Sequence, residues 1–207
     1  PGAVFFDVDA VSDHSNPLPH MYPGAEQFGR DVGSLGISNA DTVVIYDAGG
    51  WVAAPRAWWM FRIFGHKNVS ILNGGLPKWL AEGNAVSNLP KAPKPGQYAA
   101  TFNANLVRSV EDVLANIESH EAQVLDARAA GRFTAEVPEP REGMRSGHMP
   151  GAVSTPFTDL VNPGNKTMRS AAEIAAFFDK AGVDRSGNLI TSCGSGITAC
   201  VLSLGLY

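Results

Sequence analysis

A chain of 207 residues, 44% hydrophobic and 17% charged, has the composition of a globular protein with room for one large domain or two small ones. Its 16 basic and 20 acidic side chains leave a formal charge of −4, which argues against a nucleic-acid partner or an anionic membrane surface, since both favour a basic footprint. No apolar run approaches the ~18 residues of a membrane span, no signal-peptide pattern opens the chain, and two cysteines are too few for a disulfide framework, so a reducing, cytoplasmic setting is expected.

Taken in chain order, an amphipathic helix is expected over 24–35, and the strand "TVVIYD" follows, ending at Asp47. A helix over 54–64 carries Trp58, Trp59, Phe61 and Phe64 at helical spacing, the pattern of core residues. The strand "VSILNGG" (69–75) and "LPKWL" come next. Residues 87–105 are rich in Pro, Ala and Asn without apolar periodicity, which reads as an interdomain linker running over the surface. Ser109 with Asp112 opens a helix to about Ser119, ahead of the strand "QVLDA" (123–127). Ser170 with Glu173 forms a capping box before a helix over 171–181. The strand from Asn188 to Thr191 then leads through Cys193 and a glycine-rich turn into a helix over 197–206.

These elements repeat. "PGAV" stands at 1–4 and at 150–153, an offset of 149. Gly36-Ile37 precedes Asp47 as Gly182-Val183 precedes Cys193, 11 residues in each case and at an offset of 146. Strands alternating with helices imply parallel sheets flanked by helices, so the expected fold is α/β with two tandem copies of one unit. The first domain is expected over 1–86, a linker over 87–108 and the second domain over 109–207. Repeat arithmetic also makes the chain the middle of a longer one, with roughly 40 residues absent at each end.

The Cys193 turn is where chemistry is expected. A thiolate is the reactive form of cysteine. A loop between a strand and a helix offers backbone N–H groups and the positive end of the helix dipole to an anion. Gly194 and Gly196 let successive amides converge, and Ser195 and Thr198 add hydroxyls. The competing reading is a small buried apolar residue, which suits Cys200 inside its apolar helix better than Cys193. Seven residues apart on two helical turns, ~10.5 Å, the two cysteines lie beyond disulfide reach of each other. Phosphatase chemistry needs Cys-x5-Arg to clamp phosphate. Here that position is Ala199, and 193–207 contains no Arg. His14, His66, His120 and His148 show no metal-ligand spacing, and His148 reads as a turn-packing residue.

"CGSGITA" (193–199) resembles the active-site loop of 3-mercaptopyruvate sulfurtransferases, in the rhodanese superfamily. "PGAVFFDVD" (1–9), "SNPLPHMYPGAEQF" (15–28), "APRAWWMFRIFGH" (54–66), "DARAAGRF" (126–133) and "EPREGMRSGHMPGA" (139–152) carry the resemblance over essentially the whole chain. It implies two rhodanese-like domains with a cleft between them. The second domain would hold the nucleophile Cys193 and the first, with Asp47 at the matching place, would be inactive. It further implies that Arg132 and Arg141 hold the carboxylate and keto oxygen of the substrate. Bidentate pairing with a carboxylate suits a guanidinium and not an ammonium. Gly194, Gly196, Ile197 and Thr198 would line the substrate, and Asp9 and His20 would form a relay with Ser195. Implied partners are 3-mercaptopyruvate and a thiol acceptor, a small thiol or a thioredoxin-like protein, with no cofactor required. Two alternatives stand beside this reading: a thiosulfate:cyanide sulfurtransferase, and a non-catalytic module of the same fold. The neutral side chains of Gly194 to Thr198 favour 3-mercaptopyruvate over dianionic thiosulfate.

Overall fold

The computed structural model describes residues 2–49, 51–89 and 92–207; Pro1 of the first "PGAV" and Pro90 and Lys91 of the expected linker lie outside the described residues. The chain divides into two compact units, Pro1–Val107 and Arg108–Tyr207. Among the described residues, no helix is long and apolar enough to cross a membrane.

The first unit runs α1 (Ala25–Ser34), β1 (Val43–Ile45), α2 (Ala54–Ile63), β2 (Val69–Ile71) and α3 (Gly75–Ala81). The strands pair in parallel, with Val43 opposite Val69 and Ile45 opposite Ile71. Both are shorter than their apolar runs. β2 stops at Ile71 because Gly74 and Gly75 take positive φ and turn the chain into α3. The core gathers Phe28 and Val32 from α1 and Met60, Phe61 and Ile63 from α2, together with Val11, Phe64 and Tyr98. Phe28 stacks on Phe64 at 4.3 Å and meets Phe61 edge-on at 5.5 Å. Phe61, Phe64 and Trp58 are thus buried as their spacing predicts, while Trp59 lies at the margin beneath the Arg56 guanidinium. Val43, Ile45 and Val69 pack on this core, whereas Val44, on the opposite face of β1, is 56% exposed.

The segment read as a linker is fastened to this first unit along much of its course. Gly96 donates to the Gly33 carbonyl at 2.8 Å, Thr101 to Phe64 at 3.1 Å and Asn103 to Ile63 at 2.7 Å. The Asn39 side chain bonds both backbone groups of Ala99.

The second unit contains α4 (Val110–Ser119), β3 (Ala122–Asp126), α5 (Ala130–Phe133), β4 (Val153–Ser154), α6 (Ala171–Lys180), β5 (Asn188–Ser192) and α7 (Ala199–Leu206). β3 is central, parallel to β4 on one side and β5 on the other. Both expected capping boxes are formed, Ser109 with Asp112 and Ser170 with Glu173, each satisfying N–H groups that a helix start otherwise leaves unpaired. Asn116 ties α4 to the start of β3 through both backbone groups of Ala122, at 2.8 Å each. Leu125 of β3, Ile174 and Phe178 of α6 and Leu202 of α7 form the core with Leu160, and Leu189 of β5 and Cys193 pack against it. α7 begins at Ala199, two residues later than its apolar run. Gly196 has φ of 72°, and this left-handed residue separates the loop from the helix.

Candidate active site

The Cys193 loop spans the six residues between the end of β5 and the start of α7. The N–H groups of Ser195, Gly196 and Ala199, with the Thr198 hydroxyl, are the donors that favour the anionic form of the Cys193 sulfur. Burial pushes the thiol up, but these four donors outweigh it and hold Cys193 below the ordinary thiol range. Ala199 is the first residue of α7, so the sulfur also sits at the positive end of that helix. Cys193 is half-buried, while Cys200 is 3% exposed and donates to the Gly196 carbonyl at 3.2 Å. Neither Cys193 nor Cys200 is in a disulfide.

Beside this loop lies a pocket of about 170 Å³, walled by Arg132, Glu139, Arg141 and Met144 on one side and by Gly194, Ser195 and Thr198 on the other. Arg132 comes from α5, whose single turn follows β3; Arg141 comes from the irregular chain beyond. Arg141 donates to the Gly194 carbonyl at 3.3 Å. Arg132 stands so close to the loop that a Cβ on Gly194 would lie 2.8 Å from its Nη2. A side chain at 194 would therefore push the end of Arg132 aside. Arg132, Arg141, Gly194, Ser195 and Thr198 line this one pocket, and Gly196 and Ile197 are half-buried in the same loop.

Sequence reasoning missed the carboxylates that hold Arg132 and its neighbour Arg128. Glu139, with a side chain only 4% exposed, accepts from Arg132 Nε at 3.0 Å and Nη2 at 2.5 Å, and from Arg128 Nη1 at 2.8 Å. Arg128 is gripped in turn by Asp126 at the end of β3 and donates to the Gly147 carbonyl. The Arg132 hydrogen bonds, followed by the charges of Arg132 and Arg128, hold the Glu139 carboxyl below the usual carboxylate range against the opposing effect of burial. Glu139 in return raises Arg132. No local sequence signal points to this pairing, because Glu139 lies in an irregular segment without periodicity.

Asp9 and His20 are also brought together, in the first unit, with His20 Nε2 at 3.1 Å from an Asp9 carboxylate oxygen. Arg56 donates to the His20 carbonyl, and a pocket of about 410 Å³ opens between Asp9, Asp13, His14, Leu18 and His20. His148 packs a turn as its sequence setting suggests: its ring lies 3.7 Å from that of Phe133, at 6°, and its Nδ1 is 2.8 Å from the Phe133 carbonyl. Asp47, at the place that matches Cys193, fills a loop of similar build. One of its carboxylate oxygens accepts the N–H groups of Val52, Ala53 and Ala54 at 3.0 to 3.1 Å, at the start of α2.

Residues 1–82 match the family model of the rhodanese-like domain. The whole chain is 46% identical to human 3-mercaptopyruvate sulfurtransferase and covers 70% of it. It is 44% identical to the thiosulfate sulfurtransferase of Mus musculus, again covering 70% of that protein. Among solved structures, SseA from Escherichia coli, described for the rhodanese fold and catalytic mechanism of 3-mercaptopyruvate sulfotransferases, superposes with a TM-score of 0.90. It is 43% identical, and all of this chain aligns on 76% of SseA.

Proposed function

The chain belongs to the rhodanese-fold family of 3-mercaptopyruvate sulfurtransferases, and we propose that it acts through Cys193. The reaction moves the sulfur of 3-mercaptopyruvate to a thiol acceptor and releases pyruvate. In the first half, the Cys193 thiolate forms an S–S bond to the substrate sulfur while the C–S bond breaks. The bonding electrons leave with carbon as the enolate of pyruvate, which takes up a proton. In the second half, an acceptor thiolate attacks the outer sulfur of the Cys193 persulfide and departs with it, returning the cysteine as thiolate. The observation that carries this assignment is the half-buried Cys193 on the loop at the start of α7, its thiol lowered by backbone N–H groups and the Thr198 hydroxyl, next to a pocket walled by two arginines.

Charge supports the choice of donor. Arg128 and Arg132 are paired with Asp126 and Glu139, so Arg141 leaves the cluster with one positive charge in excess. One carboxylate balances that charge; a thiosulfate dianion calls for more, and the loop from Gly194 to Thr198 has none to offer. Thiosulfate is the second reading, favoured by the 44% identity to a thiosulfate sulfurtransferase. Arg132 and Arg141 are assigned the substrate carboxylate and keto oxygen, and Ser195 the polarisation of the carbonyl. Asp9 holds His20 in one tautomer for proton handling. The loop of the first unit, with Asp47 in the cysteine's place, carries no nucleophile. Small thiols and a thioredoxin-like protein both suit the acceptor half. Reducing, cytoplasmic surroundings would keep Cys193 and Cys200 as thiols.

Mass spectrometry after mixing with 3-mercaptopyruvate and no acceptor tests the assignment. Cys193 is expected to gain one sulfur, about 32 Da, with pyruvate released in step. The added mass on Cys200, or normal pyruvate formation by Cys193→Ser, overturns it. A kcat/KM for thiosulfate equal to or above that for 3-mercaptopyruvate makes the second reading the right one.

A further inference from the structure

A guanidinium carries five N–H groups in one plane, and which of them are already engaged decides what the group can still grip. In Arg132, Glu139 takes the side-on pair, Nε–H at 3.0 Å and one Nη2–H at 2.5 Å. That leaves the end-on pair, one hydrogen on Nη1 and the second on Nη2, the geometry with which another carboxylate is held bidentately. Nη2 is also the atom that occupies the space where Gly194 would carry a side chain, so the end-on edge lies against the Cys193 loop.

We infer that Glu139 is a positioning residue for the sulfur-transfer reaction, acting through Arg132; the inference rests on the reading of Cys193 and its arginine pocket given above. Its anchorage supports the role. The Glu139 carboxylate is buried, and its Oε1 is shared with Arg128, which is fixed to Asp126 at the end of the central strand β3 and to the Gly147 carbonyl. Sheet, Asp126, Arg128, Glu139 and Arg132 thus form one unbroken run of charge-assisted contacts, ending at the place where the substrate carboxylate is to sit. Without Glu139, an arginine on the one-turn helix α5 has several rotamers open to it, and each binding event must first select one. The other effect of Glu139 is on charge: it neutralises Arg132 and keeps the pocket suited to a single carboxylate.

The test compares Glu139→Gln with the unaltered protein. Gln keeps the shape but turns an N–H₂ toward Arg132. KM for 3-mercaptopyruvate is expected to rise about 10- to 100-fold, with kcat changed by less than about threefold. The rate at which iodoacetamide alkylates Cys193 without substrate is expected to stay within about twofold, since the sulfur's own donors are untouched. A merely structural role gives the opposite split, a fall in kcat from a smaller folded fraction at constant KM, and that result overturns the inference. The double variant Arg132→Met with Glu139→Gln should lose no more than Arg132→Met alone; losses that multiply show that Glu139 does not act through Arg132. If Glu139→Gln does not fold, Glu139→Asp, which keeps the charge and shortens the reach, must show the same KM-dominated loss, and an unchanged KM there is equally decisive against it. Added sulfur on Cys193 of the unaltered protein checks the reaction separately. If that fails, the inference falls with it; if it succeeds and KM is unmoved, only the role of Glu139 falls.

Discussion

After β1 in the first unit and after β5 in the second, the chain makes the same manoeuvre: a parallel strand ends, a tight loop follows, and backbone N–H groups at the start of a helix converge on one side chain. In the first unit that side chain is Asp47, bonded by the N–H groups of Val52, Ala53 and Ala54. In the second it is Cys193, whose thiol the N–H groups of Ser195, Gly196 and Ala199 lower. The comparison separates two properties that an amide cradle confers together. It attracts negative charge wherever it is built, and a carboxylate satisfies it permanently. Only a sulfur can be negative, nucleophilic and extended by another sulfur in turn. The surroundings differ as well, because Arg132 and Arg141 flank the second loop.

The largest effect is expected from making the second loop like the first. Cys193→Asp keeps an anion in the cradle and removes the nucleophile, so the protein should fold while pyruvate formation drops about a thousandfold or more. Circular dichroism and the thermal midpoint check the fold, and a pyruvate assay checks the loss. Residual turnover above a tenth of the unaltered rate would break the comparison, since it would place the chemistry somewhere other than Cys193.

A smaller effect is expected from weakening the cradle. Thr198 is the strongest of the donors that lower the Cys193 thiol, acting against burial, which raises it. The folded loop therefore binds the proton less tightly than the unfolded chain does. Its contribution to stability is present above the ordinary thiol pKa and is lost as pH falls through the depressed value. In Thr198→Val the pH midpoint of Cys193 alkylation should move upward, toward the ordinary thiol value, with the plateau rate at high pH retained. A midpoint that stays in place would mean that the amides alone set the ionisation and that the hydroxyl is incidental.

How far this was legible in the sequence depends on the range of the interactions. Capping boxes at Ser109 and Ser170 and the glycine-flanked Cys193 are local, and their residues carry the signal within a few positions. The equivalence of Asp47 and Cys193 came from the repeat spacing, not from either loop alone. Glu139 was invisible because its partners reach it across an irregular segment with no periodicity, where nothing in the sequence says which charges will be buried together. The start of α7 was placed two residues early because apolar character continues through Ile197, while the positive φ at Gly196 is a backbone property. The hold of Gly96 to Asn103 on the first unit rests mainly on backbone hydrogen bonds, which leave little compositional trace. Asp9 and His20 were identified only through the family resemblance; their 3.1 Å approach is set by a turn-rich segment that periodicity does not read.

The smallest effect on activity should come from the first loop. Asp47→Asn keeps the size and one acceptor oxygen of the side chain but removes its charge. The three N–H groups then share a weaker partner at the start of α2, and losses of this kind at helix starts cost about 1 kcal/mol. That helix supplies Met60, Phe61 and Ile63 to the core, so the loss should appear as a lower denaturant midpoint. Turnover of 3-mercaptopyruvate in the folded protein should remain within about twofold, because Asp47 belongs to the first unit and the proposed chemistry stands on Cys193, Arg132 and Arg141 in the second. A stability change without a kinetic one supports the division of labour between the two cradles. A tenfold fall in kcat in a fully folded Asp47→Asn protein would show that the first loop takes part in the reaction, and the comparison would then have to be drawn as one between two working sites.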